Sequence, residues 1–419
     1  MCTPGPKTVL KAEMDASRMN QTPAKSQLKS QPTLAPTHRR VTSKLRTFRR
    51  IFFAAILALF LFLGSAFATT YYNLQRNIKQ HDISSMFTTK RPEPAIPLDQ
   101  KAGQPLNILV LGSDTRTGLD GYETSDIEGM RSDTTMLAHI SADRSRVDVI
   151  SIPRDTLVDI PSCILPNGNE TGARSDAMFN SAFMLGGMTG DVSAAAACTL
   201  QTVEQLTNVL IDGFVVVNFN SFRDVVDAIG GVEMCFNRPI EDADAQLSLD
   251  AGCQTLNGEQ ALGFARVRHS VGDGSDISRI GRQQELVGKI AEKVFSLNIF
   301  TNMPKLYQLL SAVTKNLDTS AGLGNIDWLA GLVYSLHNLD TNNINFITMP
   351  YAPDVYDPNR VRPLPQATQI WDSLRQDTPI PDTALMPENP NEDKVTVDVN
   401  KPAQGNNSST EPTAPNKQL

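Results

Sequence analysis

The sequence predicts an α/β layer fold preceded by one membrane-length helix, and two observations carry the prediction. Between about residues 104 and 377, short β-branched runs alternate with segments whose apolar residues recur at helical spacing. Ahead of them, residues 51–68 (IFFAAILALFLFLGSAFA) run for eighteen positions without a charge.

Residues 1–50 hold eleven Lys/Arg against two acidic residues, spaced by Pro, Ser, Thr and Gln, and read as a basic disordered tail. The apolar run, extended through 69–72, reaches the roughly 20 residues that a bilayer-crossing helix needs. Arg49 and Arg50 on one side and Tyr71 and Tyr72 on the other suit a cytoplasmic basic flank and an aromatic interface belt. Ala66-Phe67-Ala68 also fits a signal-peptidase pattern, but the long basic lead favours an uncleaved anchor over 51–72. A linker is expected over 73–103, a globular domain over 104–377 and a second disordered tail, rich in Pro, Asn, Asp and Thr, over 378–419.

Within the domain, 107–111 (NILVL) is a buried strand that delivers Asp114 after Gly-Ser. Residues 134–141 and 146–152 are strands joined by the turn 142–145, which puts Asp133 at the start of one and Arg154 just past the other. Helical patterns follow over 178–187 and over 191–210, the latter with Asp191 as N-cap. Then come a strand (214–219), a helix (222–229) closed by Gly230-Gly231, and a strand (232–236). Helices are expected over 257–266, 279–297, 304–317 and 326–339, with a late strand at 343–349. There is no internal repeat.

Charge and cysteine usage narrow the function. The chain's net charge of −7 becomes about −16 beyond the basic tail, so the globular part is acidic and unsuited to nucleic acid. Four cysteines, Cys163, Cys198, Cys235 and Cys253, lie past the apolar run, an even number suited to an oxidising compartment. Of the three possible pairings, the spacing favours Cys163–Cys198 and Cys235–Cys253.

Against this acidic background stand charges suited to a phosphate. Asp114 and Asp133, arriving at one sheet edge, can share Mg²⁺ or Mn²⁺, although a lone Asp at a strand end is more often a turn former. Arg154 follows Pro153, which fixes the exit of its strand, and its planar fork matches phosphate oxygens, with an ion pair to Asp155 as the plainer role. Arg266 and Arg268 share a side if the chain there is extended. Arg279 and Gln283 share a helical face, with Arg282 and Gln284 beside them. His269 lacks a neighbouring nucleophile and reads as structural. No GxSxG, Walker loop or dinucleotide fingerprint is present.

The ordered motifs NILVLGSDTR, RSDTTML, VISIPRDT, FNSAF, GVEMCF, LNGEQALGFARVRH and DISRIGRQQ, covering about 105–297, resemble those of the LytR-CpsA-Psr family of bacterial cell-wall enzymes. The resemblance implies a three-layer α/β/α sandwich with a central mixed sheet, outside the membrane and tethered by one transmembrane helix. It also implies a phosphotransferase that moves a glycopolymer from a polyprenyl-pyrophosphate carrier to peptidoglycan with Mg²⁺. By motif, Asp114, Arg131, Asp133 and Arg154 become the catalytic set, Asp114 and Asp133 the metal ligands, and Arg154, Arg266, Arg268, Arg279 and Gln283 the pyrophosphate binders. Ser278, where the family often has Gly, is the one departure. The apolar helices over 178–230 and 285–317 would line a slot for the isoprenoid or simply form core. A regulator that binds polyprenyl phosphate without turnover, and a pyrophosphatase, are the competing readings.

Overall fold

The alternation that makes strands and helices compete for one core is resolved by a seven-stranded sheet between helices. The computed structural model describes residues 44–83, 103–113, 130–267, 276–297 and 338–386, with 86, 271, 396 and short stretches between 309 and 336. In chain order the elements are α1 (Lys44–Asn77), β1 (Lys79–His81), β2 (Leu106–Ser113), β3 (Ser132–Ile140), β4 (Val147–Ser151), β5 (Leu157–Ile160) and β6 (Arg174–Met178). Next come α2 (Ser181–Gly186), α3 (Val192–Thr207), β7 (Gly213–Val217), α4 (Phe219–Ala228), β8 (Val232–Phe236), β9 (Ile240–Asp242), β10 (Leu247–Leu249) and β11 (Gly252–Leu256). The last are α5 (Gly258–Arg266), α6 (Asp276–Ser296), β12 (Asp318–Ser320), β13 (Ile344–Thr348), β14 (Tyr351–Pro353), β15 (Val361–Pro363) and a helix here called α7 (Gln366–Gln376).

The sheet is mixed. β2, β3 and β4 are antiparallel neighbours, whereas β2–β7, β4–β13 and β1–β12 are parallel. Period-two alternation in β2 buries Leu109 and Leu111 against one helical layer and turns Ile108 and Val110 to the other. The first layer is α2, α3 and α7, whose Phe183, Leu185, Leu200, Ile370 and Trp371 join Leu109, Leu111, Leu137 and Ile150 in one core. Asp191 caps α3 by accepting the Ala194 N–H at 2.9 Å. The second layer is α4, α5 and α6, which share another core with the small ribbons β8–β11 and β9–β10.

Several boundaries differ from expectation. Residues 174–178 form a strand paired with β5, so the helix expected at 178 begins at Ser181. The strand expected to reach 219 stops at Val217, where the Asn218 side chain caps α4 by accepting the Ser221 N–H. The supposed linker contributes β1, held parallel to β12 as an edge strand. Packed chain also continues past 377, with Ala384 fully buried in the first core, and Thr396 bridges to Phe236. The helices expected over 304–317 and 326–339 lie largely outside the described residues.

Residues Phe48–Asn77 of α1 are long and apolar enough to cross a membrane, and their most apolar stretch is not buried. Both favoured cysteine pairs are bonded, Cys163–Cys198 tying the β5–β6 region to α3 and Cys235–Cys253 joining directly opposite residues of β8 and β11. A bridge closing a loop of either length stabilises a fold by roughly 2–4 kcal/mol.

At the sheet end formed by the start of β2 and the end of β3, the fully buried His139 lies between Asn107 Oδ1 at 2.8 Å and Asp377 Oδ1 at 3.0 Å. Burial pushes this imidazole below its ordinary 6.5, against the opposing pull of the Asp377 carboxylate. The unfolded chain therefore takes up the proton first as pH falls. His139 should contribute its full stability above about pH 6.5 and lose it as pH drops towards the folded-state value. Urea midpoints should accordingly fall between pH 7 and 5.5, and His139→Gln should flatten that dependence; an unchanged slope would contradict it.

Candidate active site

The opposite end of the sheet carries the site. β2 ends at Ser113, β3 begins at Ser132, β4 ends at Ser151 and β7 ends at Val217, so four strand ends meet there. Between this end and the second helical layer lies a cavity of about 500 Å³. Its apolar wall is Val110, Met136 and Val217 from the sheet, Phe219 and Phe222 from α4, Leu262 from α5, and Leu286 and Val287 from α6. Its polar wall holds Asp133, Arg266, Arg279, Gln283, Asp242 and Asp244.

Local sequence explains how each side chain arrives. Asp133 is the second residue of β3. Past β4, the Ile152 N–H donates to Thr135 O, and both the N–H and the hydroxyl of Thr156 donate to Pro153 O, so the Ile-Pro-Arg-Asp segment turns tightly. Arg154 thereby points its Nη1 to Asp133 Oδ1 at 2.9 Å, while its Nε stands 3.5 Å from Asp155 Oδ2. The plainer pairing with Asp155 is thus present but longer. Both members of the Arg154–Asp133 pair are partly exposed, so the pair itself adds little stability.

Helix α5 starts with a capping box in which Asn257 accepts the Gln260 N–H and the Gln260 side chain accepts the Asn257 N–H. Gly258 is required there, since a Cβ would stand 2.5 Å from Arg223 O where α4 and α5 cross. The helix ends at Arg266, whose guanidinium lies 5.0 Å from the centre of the Phe219 ring. Arg266 is a helix-terminal residue, and Val267 is the first residue to leave helical geometry. Arg268 and Asp114 lie outside the described residues, as does His269.

Helix α6 presents Arg279 and Gln283 to the cavity, one turn apart as i,i+4 spacing requires. Arg279 is almost fully buried. The Gln283 amide is a brace: its Oε1 accepts from Thr134 Oγ1 at 3.1 Å and its Nε2 donates to Ala265 O at 3.3 Å, joining β3 to α5. Arg282, also buried, serves the backbone instead, donating to Val267 O at 2.7 Å and Val271 O at 3.2 Å. Gln284 ties α6 to the Ser151 and Thr348 hydroxyls of β4 and β13. Arg131 is exposed just ahead of β3 and is not on the cavity wall.

Two parts of the wall escaped the sequence. Asp242 and Asp244 sit in an Asp-rich stretch that looks like a solvated turn. The pairing of β9 with β10 buries Asp242, where its Oδ1 accepts the Ala245 N–H at 2.9 Å. The apolar helices expected to line a slot also divide: α4 and α6 reach the cavity, joined there by α5, which the expectation left out, whereas α2 and α3 are core on the sheet's other face.

A family model described as the LytR_cpsA_psr family matches residues 66–376. The chain is 31% identical over 264 residues to cell wall biosynthesis protein LcpA of Corynebacterium glutamicum, a match covering 58% of this chain and 49% of that one. It is 29% identical over 288 residues to polyisoprenyl-teichoic acid–peptidoglycan teichoic acid transferase TagU of Enterococcus faecalis, covering 69% of this chain and 84% of the relative. The matched stretch thus spans about half of LcpA and most of TagU. Among solved structures, gbs0355 of Streptococcus agalactiae superposes with a TM-score of 0.50 at 24% identity, over 67% of this chain and 90% of its own. A LytR-Csp2A-Psr enzyme from Actinomyces oris gives 0.50 at 20% identity, over 71% and 96%. These two share the fold, a central mixed sheet between helices. With most of its length matched by the family model, the chain belongs to the LytR_cpsA_psr family.

Proposed function

We propose that the protein is a membrane-anchored phosphotransferase that moves a glycopolymer from a polyprenyl-pyrophosphate carrier onto peptidoglycan. The observation that carries this reading is the two-sided cavity, apolar along α4, α5 and α6 and charged at the strand ends, where Arg266 and Arg279 offer anion contacts beside Asp133, Asp242 and Asp244. An amphiphile with an isoprenoid chain and a pyrophosphate head matches both sides, and TagU bears the name of a transferase of this kind.

In the reaction, an acceptor hydroxyl attacks the glycan-bearing phosphorus of the pyrophosphate. A new P–O bond forms, the bond to the bridging oxygen breaks, polyprenyl phosphate leaves with that electron pair, and the hydroxyl proton passes to solvent or to the departing phosphate. Arg266 and Arg279 would offset the charge growing on the leaving phosphate. Arg154, oriented by Asp133, would present its fork to the phosphate oxygens. Gln283 would keep β3 and α5 at fixed separation around the head group.

Asp133 at the cavity wall offers the hard carboxylate oxygens that Mg²⁺ or Mn²⁺ prefers, and Mg²⁺ needs only one or two such ligands beside substrate phosphates. Asp133 would hold the ion together with Asp114, and the ion would supply further charge neutralisation. The anchor would place the basic tail in the cytoplasm and the domain outside, where Cys163–Cys198 and Cys235–Cys253 would persist.

Incubating the full chain in lipid nanodiscs with a lipid-linked glycan and peptidoglycan should join the two covalently. Soluble glycan released without acceptor would identify a hydrolase, and tight carrier binding without either product would identify a regulator; both would overturn the proposal.

A further inference from the structure

Just past β13, the hairpin β14–β15 ends in a loop with an apolar, exposed tip. Val355 and Tyr356 at its tip are 89% and 92% exposed, more so than any other large apolar side chain among the described residues. Yet the loop is firmly held. The buried Asp354 carboxylate accepts the backbone N–H groups of Tyr356 at 2.9 Å and Asp357 at 3.0 Å and pairs with Arg362, which also reaches Asp176 at 2.8 Å. The Asp354 N–H donates to Arg360 O at 2.8 Å, closing the loop on itself. A buried carboxylate and two ion pairs thus order a tip that buries nothing of its own.

The loop abuts the active site. The Val361 N–H donates to Asp155 O, and the Arg360 guanidinium stands 3.7 Å from Asp155 Oδ1. Asp155 faces Arg154, and Arg154 holds Asp133 on the cavity wall. The tip therefore flanks the Arg154 side of the site.

We infer that Tyr356 is a docking platform for the acceptor glycan, its ring stacking on the apolar face of a sugar while Asp357, Asn359 and Arg360 engage hydroxyl and amide groups. The inference rests on the transfer proposed above, because a polymeric acceptor must be gripped outside a cavity of about 500 Å³. A tyrosine on an ordered loop gives a large, amphipathic contact at little cost in conformational entropy. A membrane surface is the other partner such a tip could meet. The charged neighbours of the tip, Asp357 and Arg360, disfavour it.

The test is calorimetric titration of the full chain in nanodiscs with a soluble glycan oligomer cut from peptidoglycan, in the absence of any donor. Tyr356→Ala should weaken binding on the order of tenfold, a typical loss for an aromatic contact at the centre of an interface. Tyr356→Phe, which keeps the ring, should restore most of it. Equal binding by wild type and Tyr356→Ala would overturn the inference. So would quenching of a Tyr356→Trp variant by brominated lipid, which would put the tip in the bilayer interface. Binding needs no turnover, so the two proposals fail separately: glycan bound through Tyr356 but never joined would sink only the transfer, and transfer with unaltered Tyr356→Ala binding would sink only the platform.

Discussion

Arg154→Lys is expected to lower turnover on the order of 10²–10³-fold while leaving the fold intact. An ammonium keeps the charge but has no planar fork, so it cannot hold Asp133 and also present parallel donors to a phosphate. Arg154 lies beyond β4 and is partly exposed, so the sheet loses no core contact in the exchange. Asp133→Asn should be comparably damaging and should remove dependence on added Mg²⁺, since an amide oxygen is a far weaker ligand for a hard cation. It would also leave the Arg154 guanidinium without its anionic partner at 2.9 Å. Turnover of both variants, measured beside thermal unfolding to confirm folding, decides the matter. Wild-type rates from folded variants would place the chemistry elsewhere.

Phe264→Ala should cost about 3–5 kcal/mol of stability, the usual range for emptying a fully buried aromatic site. Phe264 is completely buried on α5 in the second core, edge-on to Phe236 of β8 with ring centres 5.5 Å apart. Truncation removes the apolar contact and the ring pair together, and the surrounding ribbons, tied by Cys235–Cys253, can collapse only partly into the gap. Because Arg266 follows two residues later on the same helix, activity should fall further than the unfolded fraction explains. Denaturant unfolding alongside turnover at a temperature where the variant is folded would show this. A loss below about 1 kcal/mol would mean that the second layer repacks freely, against the range expected for such a site.

The sequence made much of this legible where local signals were strong. Asp191 and the helix behind it, the hairpin of β3 and β4, the start of α5 at Asn257 and both cysteine pairings follow from caps, turns and spacing. What stayed hidden depends on distant partners. β1 (Lys-Gln-His) and β12 (Asp-Thr-Ser) are three polar residues each and are strands only because they pair with each other and β12 with β7. β8 reads correctly as a strand, yet nothing local says that it pairs with β11 rather than joining the central sheet. In the site, Asp133, Arg154, Arg279 and Gln283 were visible as motif residues at strand ends or on a helical face. The partners that give them geometry were not: Asp133 as the acceptor for Arg154, Thr134 and Ala265 at either end of Gln283, and Asp242 turned inward by a ribbon of three-residue strands.

In the proposed reaction this cavity holds a polyprenyl pyrophosphate while its glycan is passed to an acceptor hydroxyl. The most direct test is the stoichiometry of lipid product to joined glycan, using a carrier labelled in the isoprenoid and a donor labelled in the sugar. One polyprenyl monophosphate should be released for each glycan found covalently on peptidoglycan, and Arg154→Lys should slow both products equally. Polyprenyl monophosphate released with the glycan left soluble, or glycan joined while polyprenyl pyrophosphate is the lipid product, would contradict it.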